Sequence, residues 1–305
     1  PVPIINKHMD TWPEGYIELL RRRDSGFCNE RNLVLKALGV DAHVVHDAGM
    51  YVLVVPQEQA LRSVAELSQY DAEDKTPPAK LTPLPLRGSG LAGLGGYVTC
   101  LLLVAIFQNQ HALSHDWLGI GALDVARVHQ GEWWRLVTAL TLHLDTAHLM
   151  GNLVIGGIFG FFLGRLLGDG MAWFCIVLAA VTGNAMDAVV QQSYFSAAGA
   201  STAVFAALGL LCGYSWRMRN SSQLRWAARW APLVGGVVLL AWLGTGDEHT
   251  DVVAHLTGFI AGTALGTALP LIGWVQSAGP RTQLALGALS MAIVTVAWLI
   301  ALTGP

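Results

Sequence analysis

Apolar and polar positions along the chain follow two regimes. Up to Arg87, short apolar runs alternate with charged residues. Glu30–Leu38 sets Leu33, Val34, Ala37 and Leu38 at helical spacing, and Gly39 follows as a C-cap. Ala42–Val45 and Met50–Val55 are short β-branched runs around a His46-Asp47-Ala48-Gly49 turn, which predicts two strands. Gln57–Leu67 is helical again, with Leu61, Val64, Ala65 and Leu67 predicted on its buried side. The order αββα predicts a small α+β domain over residues 1–70. A proline-rich stretch of mixed charge, 71–87, predicts a linker without a fixed fold.

Beyond Arg87 the pattern changes to long apolar runs. A helix crossing about 30 Å of hydrocarbon needs about 20 residues. Gly88–Phe107, Thr146–Gly164, Met171–Val190, Gly199–Trp216, Leu224–Leu243, Val252–Val275 and Leu284–Leu302 each approach that length. The fifth is the least apolar, because Arg225 and Arg229 shorten it, so six spans is the alternative count. The fold class expected is an all-α polytopic membrane protein carrying a small N-terminal α+β soluble domain. A six-helix core would occupy residues 88–275 and an additional C-terminal helix 276–305.

Composition sharpens the division. The 305 residues are 53% hydrophobic and 13% charged, with a mean hydropathy of +0.48. Charged residues make up 25% of positions 1–87 and 8% of the rest, against about 25% in soluble domains. A net charge of −3 leaves no footprint for nucleic acid. Cys28, Cys100, Cys175 and Cys212 have no paired spacing, so neither a disulfide framework nor a zinc site is expected. No charged-then-apolar leader stands before the first domain. With the compact loops, this favours a bacterial inner membrane.

Basic residues orient the spans. Arg165, Arg217, Arg219, Arg225, Arg229 and Arg281 fall in loops on the side of the soluble domain, while the opposite loops hold Arg127 and Arg135, and Gly244–Asp251 is acidic. The soluble domain and N-terminus are therefore expected in the cytoplasm and the C-terminus outside. The first outer loop, Gln108–Arg135, is rich in His, Trp and Gly, which fits a half-embedded interfacial segment.

Polar groups within apolar spans are functional hypotheses by default. Here they are His143, Asp145, His148, Asn152, Asn184, Asp187, Ser201, Thr202 and His255. Ser201 and His255 each lie near the outer start of a span. His148 and Asn152, four apart on one helical face, lie at the outer start of another. A serine hydroxyl needs an adjacent base to become nucleophilic, and His255 is the natural one. His148, Asn152 and the Ser201 backbone N–H are candidate oxyanion donors. Asp251, one turn before His255, could complete a triad, but it stands where a helix N-cap is expected, so a Ser–His dyad is the preferred reading. Asp187 with Asn184 could instead mark an ion pathway or an outer-interface position, although no inverted repeat of transporter type is found.

Gly199-Ala200-Ser201-Thr202 and, two spans later, Ala254-His255-Leu256-Thr257-Gly258 resemble the rhomboid family of intramembrane serine proteases. Trp134-Arg135 is similar to the pair closing that family's first loop, and His143, His148 and Asn152 to its histidine-rich second-span start. Gly258, Gly262 and Gly266 are similar to its glycine face, with Gly209 and Gly213 as facing partners. The resemblance runs from about Gly88 to Val275. It implies Ser201 as nucleophile, His255 as base, and His148 and Asn152 as oxyanion donors, with Gly199, Phe205, Trp134, Arg135 and Gly258 in support. Phe205 replaces a tyrosine that packs on the histidine ring. It further implies transmembrane protein substrates cleaved near the outer face, and no metal or cofactor. Thr202 replaces the usual glycine, which could narrow the cavity or alter the oxyanion geometry, and Gly164 replaces a common glutamate. A catalytically inactive rhomboid-like protein that binds membrane clients is the alternative. The seventh span, without an ionisable group, is expected to be a lipid-facing addition.

Overall fold

A computed structural model describes residues 13–75, 84–220, 226–244 and 251–304. Arg225 and most of the acidic 244–251 loop lie outside the described residues. The chain divides into two compact units, residues 1–80 and 81–305.

In the first unit the order is β1 (Tyr16–Arg22), α1 (Ser25–Ala37), β2 (His43–Asp47), β3 (Met50–Pro56) and α2 (Ala60–Lys75). β3 lies between β1 and β2, antiparallel to both, with Arg22 opposite Tyr51 and Asp47 opposite Met50. The sequence pattern misses β1. Its alternation is blurred by a register shift between Glu18 and Leu20 and by charges, with Arg21 bonding both Glu18 and Asp47. α1 begins a turn earlier than expected, where Asp24 caps the N–H groups of Gly26 and Phe27. The buried face is formed by Cys28, Arg31, Asn32 and Leu35, and Leu33 is exposed. α2 likewise buries Ser63 and Leu67 while Leu61 and Val64 face outward. It also runs to Lys75, so the first part of the expected linker is helical.

The second unit is helical. Its long helices are α3 (Leu91–Asn109), α7 (Thr146–Leu167), α8 (Asp169–Val190), α9 (Ser201–Asn220), α10 (Trp226–Gly244), α11 (Val252–Ala268) and α12 (Pro280–Thr303). Between α3 and α7 the first loop is ordered into short α4 (Trp117–Gly121), β4 (Leu123–Asp124), α5 (Val125–His129) and α6 (Arg135–Thr138). β4 pairs with β5 (Ser196–Ala197), just ahead of α9. Among the described residues, five helices are long and apolar enough to cross a membrane: α3, α7, α8, α11 with its following turn, and α12. The other two long helices fall short of that measure of length and apolarity for different reasons. α9 is packed against α7, α8, α10 and α11 and ends in Arg217 and Arg219, so protein rather than lipid covers its polar positions. α10 keeps a shorter apolar stretch, Ala227–Trp242. The unit is a polytopic integral membrane protein.

α9 and α11 approach most closely. A Cβ on Gly262 would lie 2.1 Å from the Ala206 carbonyl oxygen, and one on Gly209 would lie 2.2 Å from that of Phe259. Only helices without side chains at these crossings can sit so near. α12 is more than a lipid-facing addition. Its Gln283 side chain donates to the Leu167 carbonyl and accepts from the Met171 N–H, bridging the α7–α8 turn. Near its other end the Trp298 indole N–H donates to Thr141 Oγ1 at 3.0 Å, both residues buried. Where the resemblance expects a glutamate, Gly164 leaves room for Gly90. The Asp169 carboxylate stands beside it and accepts from the Gly93 N–H at 3.0 Å.

Candidate active site

A cavity of about 670 Å³ opens where the N-terminal ends of α7, α9 and α11 meet the C-terminal end of α8. Ser201, His255, His148, Asn152, Gly199, Thr202, Phe205, Asn184 and Asp251 all contribute to its lining. Helix geometry explains the convergence: each polar residue lies in or next to the first turn or two of its own helix, except Asn184, which lies near the C-terminal end of α8.

Ser201 is the first residue of α9, and the preceding strand fixes its approach. The Gly199 N–H donates to the Ala139 carbonyl and the Ala200 N–H donates to His143 Nε2 at 3.4 Å. His143 is therefore an acceptor through a neutral ring. Burial, reinforced by nearby His148, lowers its pKa from 6.5 to about 4. Its backbone is clamped by Gln108, whose side chain donates to the His143 carbonyl and accepts from its N–H. The ring meets that of His148 edge to face at 5.2 Å. His148 in turn lies against Gly199, where a Cβ would come 2.6 Å from Cε1 of its ring.

His255 lies one turn into α11, buried, its ring 4.4 Å from the Phe205 ring at an interplanar angle of 35°. Asp251 caps α11, accepting from the Ala254 N–H at 3.0 Å. Asn152, one turn below His148, presents a buried Nδ2 with no hydrogen-bond partner among the described residues. Its backbone carbonyl accepts from the Tyr97 hydroxyl at 2.8 Å, and Tyr97 stacks on Trp173 at 4.8 Å. Sequence reasoning missed Tyr97 because it contacts Asn152 only across the α3–α7 interface. Thr202 lines the cavity beside Ser201. Its methyl group points into the gap left by Gly183 on α8 and Gly258 on α11.

Other expected residues sit elsewhere. Trp134 and Arg135 do not line the cavity. Arg135 is buried, 1% exposed, and bonds Glu132 at 2.6 Å and the carbonyls of Ala122 and Gly119, tying the first loop together. Trp134 joins Trp117 and Trp298 in an apolar cluster beneath that loop. Asn184 donates to the Leu136 carbonyl, anchoring α8 to α6. Gly258 belongs to the α9–α11 seam. Among the described residues, no group of three or more His, Cys, Asp or Glu side chains is placed to hold a metal ion.

Comparison with known proteins matches residues 130–271 to a family model described as the Rhomboid domain. Rhomboid protease GluP of Bacillus subtilis is 29% identical over 154 residues, which cover 50% of this chain and 29% of that protein. RHOMBOID-like protein 4 of Arabidopsis thaliana is 30% identical over 174 residues, 54% of this chain and 42% of that one. Putative rhomboid protease YdcA of B. subtilis is 29% identical over 143 residues, 45% of this chain and 68% of that one. For GluP and the Arabidopsis protein the chain spans less than half of the relative's length.

Proposed function

The chain belongs to the rhomboid family, and on that premise we propose that it is an intramembrane serine endopeptidase working through a Ser201–His255 dyad. The observation that carries this reading is the cavity shared by Ser201, His255, His148 and Asn152 at the ends of three helices. The substrates proposed are transmembrane or membrane-anchored proteins cleaved near the outer face of a bacterial inner membrane, with the soluble unit in the cytoplasm.

The chemistry needs only the residues present. The Ser201 hydroxyl attacks the scissile carbonyl carbon while His255 takes its proton. The unpaired Asn152 amide, the His148 ring and the Ser201 N–H are available to the oxygen as it becomes negative. His255 then delivers the proton to the departing amine, leaving an acyl-enzyme on Ser201. Water, deprotonated by the same histidine, attacks this ester, and the proton returns to Ser201 as the acid product leaves. A hydrogen-bonded transmembrane helix hides its carbonyls, so a substrate has to unwind locally before attack. Helix-breaking or small residues at the cleaved bond fit that requirement.

Cleavage of a transmembrane reporter substrate and labelling by a fluorophosphonate test the assignment. Both should be lost in Ser201→Ala, by at least about a thousandfold. Cleavage persisting in that variant would reject it.

A further inference from the structure

A further cavity, of about 470 Å³, shares no lining residue with the one around Ser201. α8 forms its floor, and α3 and α12 form its two walls. It exists because side chains are missing there. A Cβ at Gly96 on α3 would meet nothing within 4 Å, and one at Gly287 on α12 would stand 3.6 Å from the Gly170 Cα, an ordinary contact. The glycines of the α9–α11 seam, by contrast, are covered by backbone. Exposed Leu284 and Met291 stand at the mouth of this slot, and buried Leu101, Leu140 and Ile176 line its depth. The polar side chains of Asp169, Gln283, Ser290, Thr141 and Tyr97 along it already bond groups of the protein itself.

The slot is long and narrow. From Gln283 to Val294 it follows α12 for about 16 Å at 1.5 Å per residue, about half of a hydrocarbon core of about 30 Å. Spread over that length, 470 Å³ gives a channel about 6 Å wide, too narrow for a helix about 10–12 Å across. α3, α8 and α12 are each long and apolar enough to cross a membrane, so the mouth opens into hydrocarbon. An apolar cavity does not hold water, and leaving it empty forfeits the dispersion contacts of its lining. The neighbouring material able to enter is acyl chain. Asp169 and Gln283 mark the polar end of the slot, beside the α7–α8 turn. The Asp169 carboxylate disfavours the like-charged head of a free fatty acid there, whereas an esterified chain brings no charge into the slot.

We propose that this slot binds one acyl chain of a membrane glycerophospholipid, with the headgroup beside the α7–α8 turn and the tail toward Thr141 and Val294. Lipid tails are as apolar as the walls, so shape selects the occupant rather than a hydrophobic force. A chain in the slot touches protein on three sides, at α3, α8 and α12, where a chain outside it touches one. α12 meets α8 directly, and the bound chain fills the space between α12 and α3 along this stretch. The site stands independently of the protease reading.

The test places the full chain in lipid nanodiscs containing a phosphatidylcholine with a diazirine on one acyl chain. After irradiation, adducts are mapped by peptide mass spectrometry. In wild type they should include Leu101, Leu140 and Ile176, which are buried and reachable only by a chain inside the slot. Gly96→Leu fills the slot from one wall and Gly287→Leu from the other. Each should lower those adducts by about tenfold, equivalent to about 1.4 kcal/mol. Gly95→Leu adds the same side chain at an exposed position of α3 outside the slot, and should leave them unchanged. Melting midpoints in the same discs identify any variant that fails to fold, and the filling variant on the opposite wall then carries the comparison. Wild-type adducts confined to outward positions such as Leu102 and Leu103, or undiminished adducts in both filling variants, overturn the proposal. So does depth labelling by a diazirine fatty acid but not by the phospholipid. A wild-type dimer that Gly96→Leu dissociates, without depth adducts, would give the slot to a second copy and overturn it too.

Discussion

A methyl group added at residue 199 would sit 2.6 Å from Cε1 of His148 and 3.6 Å from the Ser201 Oγ. The backbone there is held by the Gly199 N–H to Ala139 and by the next N–H to His143, so the ring must yield rather than the chain. Gly199→Ala is expected to cut fluorophosphonate labelling by roughly tenfold to a hundredfold while leaving the thermal unfolding midpoint nearly unchanged. Parallel labelling and melting curves distinguish this from global damage. His143 makes the complementary prediction about pH. Its folded pKa lies below its unfolded one, so the unfolded chain binds more protons between about pH 6.5 and pH 4. The stability tied to the neutral ring is complete above the unfolded value and lost as pH falls toward 4. Melting midpoints should therefore drop across that window, and replacing His143 with glutamine should flatten the drop.

At the scale of elements, the α9–α11 seam and the α12 anchors set different tolerances. Gly262→Leu drives a side chain into the Ala206 carbonyl, and both helices carry site residues. Overpacking of this kind costs about 1–3 kcal/mol. Both the unfolding midpoint and labelling should fall together. Gln283→Ala removes two hydrogen bonds to the α7–α8 turn. It should cost stability of about 1–3 kcal/mol and leave Ser201 labelling intact, since the turn lies at the other end of the bundle. What the sequence revealed divides along the same line. A run of some 20 uncharged residues has few alternatives to a helix in lipid, so the long helices were legible. Ser201, His255, His148 and Asn152 stood out because polar groups there are rare. The contacts of Tyr97 with Asn152 and Trp298 with Thr141 were not legible. Each joins distant positions through tertiary packing that no local pattern encodes. β1 was lost for a local reason, because its bulge breaks the two-residue period on which recognition depends.

For the whole molecule, the division into residues 1–80 and 81–305 separates a small sheet-and-helix unit with its own core from the helical unit holding the cavity. Cys28, Leu35, Val44, Leu53, Val55 and Leu67 belong to the core of the first unit. Ser201, His255, His148 and Asn152 all belong to the second unit, and so do Tyr97, Gln108 and His143, whose hydrogen bonds hold Asn152 and the approach to Ser201. Nothing in the proposed chemistry asks for a side chain from the first unit. Removing residues 1–80 should therefore leave the Ser201 labelling rate within about twofold of the full chain. That margin is close to the scatter expected when a deletion touches no partner of the reacting groups. The comparison is made in detergent with a small fluorophosphonate, which needs no docking of a protein substrate. A truncated chain that melts like the full one but does not label would show that the first unit completes the site. A truncated chain that labels normally yet cleaves a transmembrane reporter more slowly would assign the first unit to substrate handling.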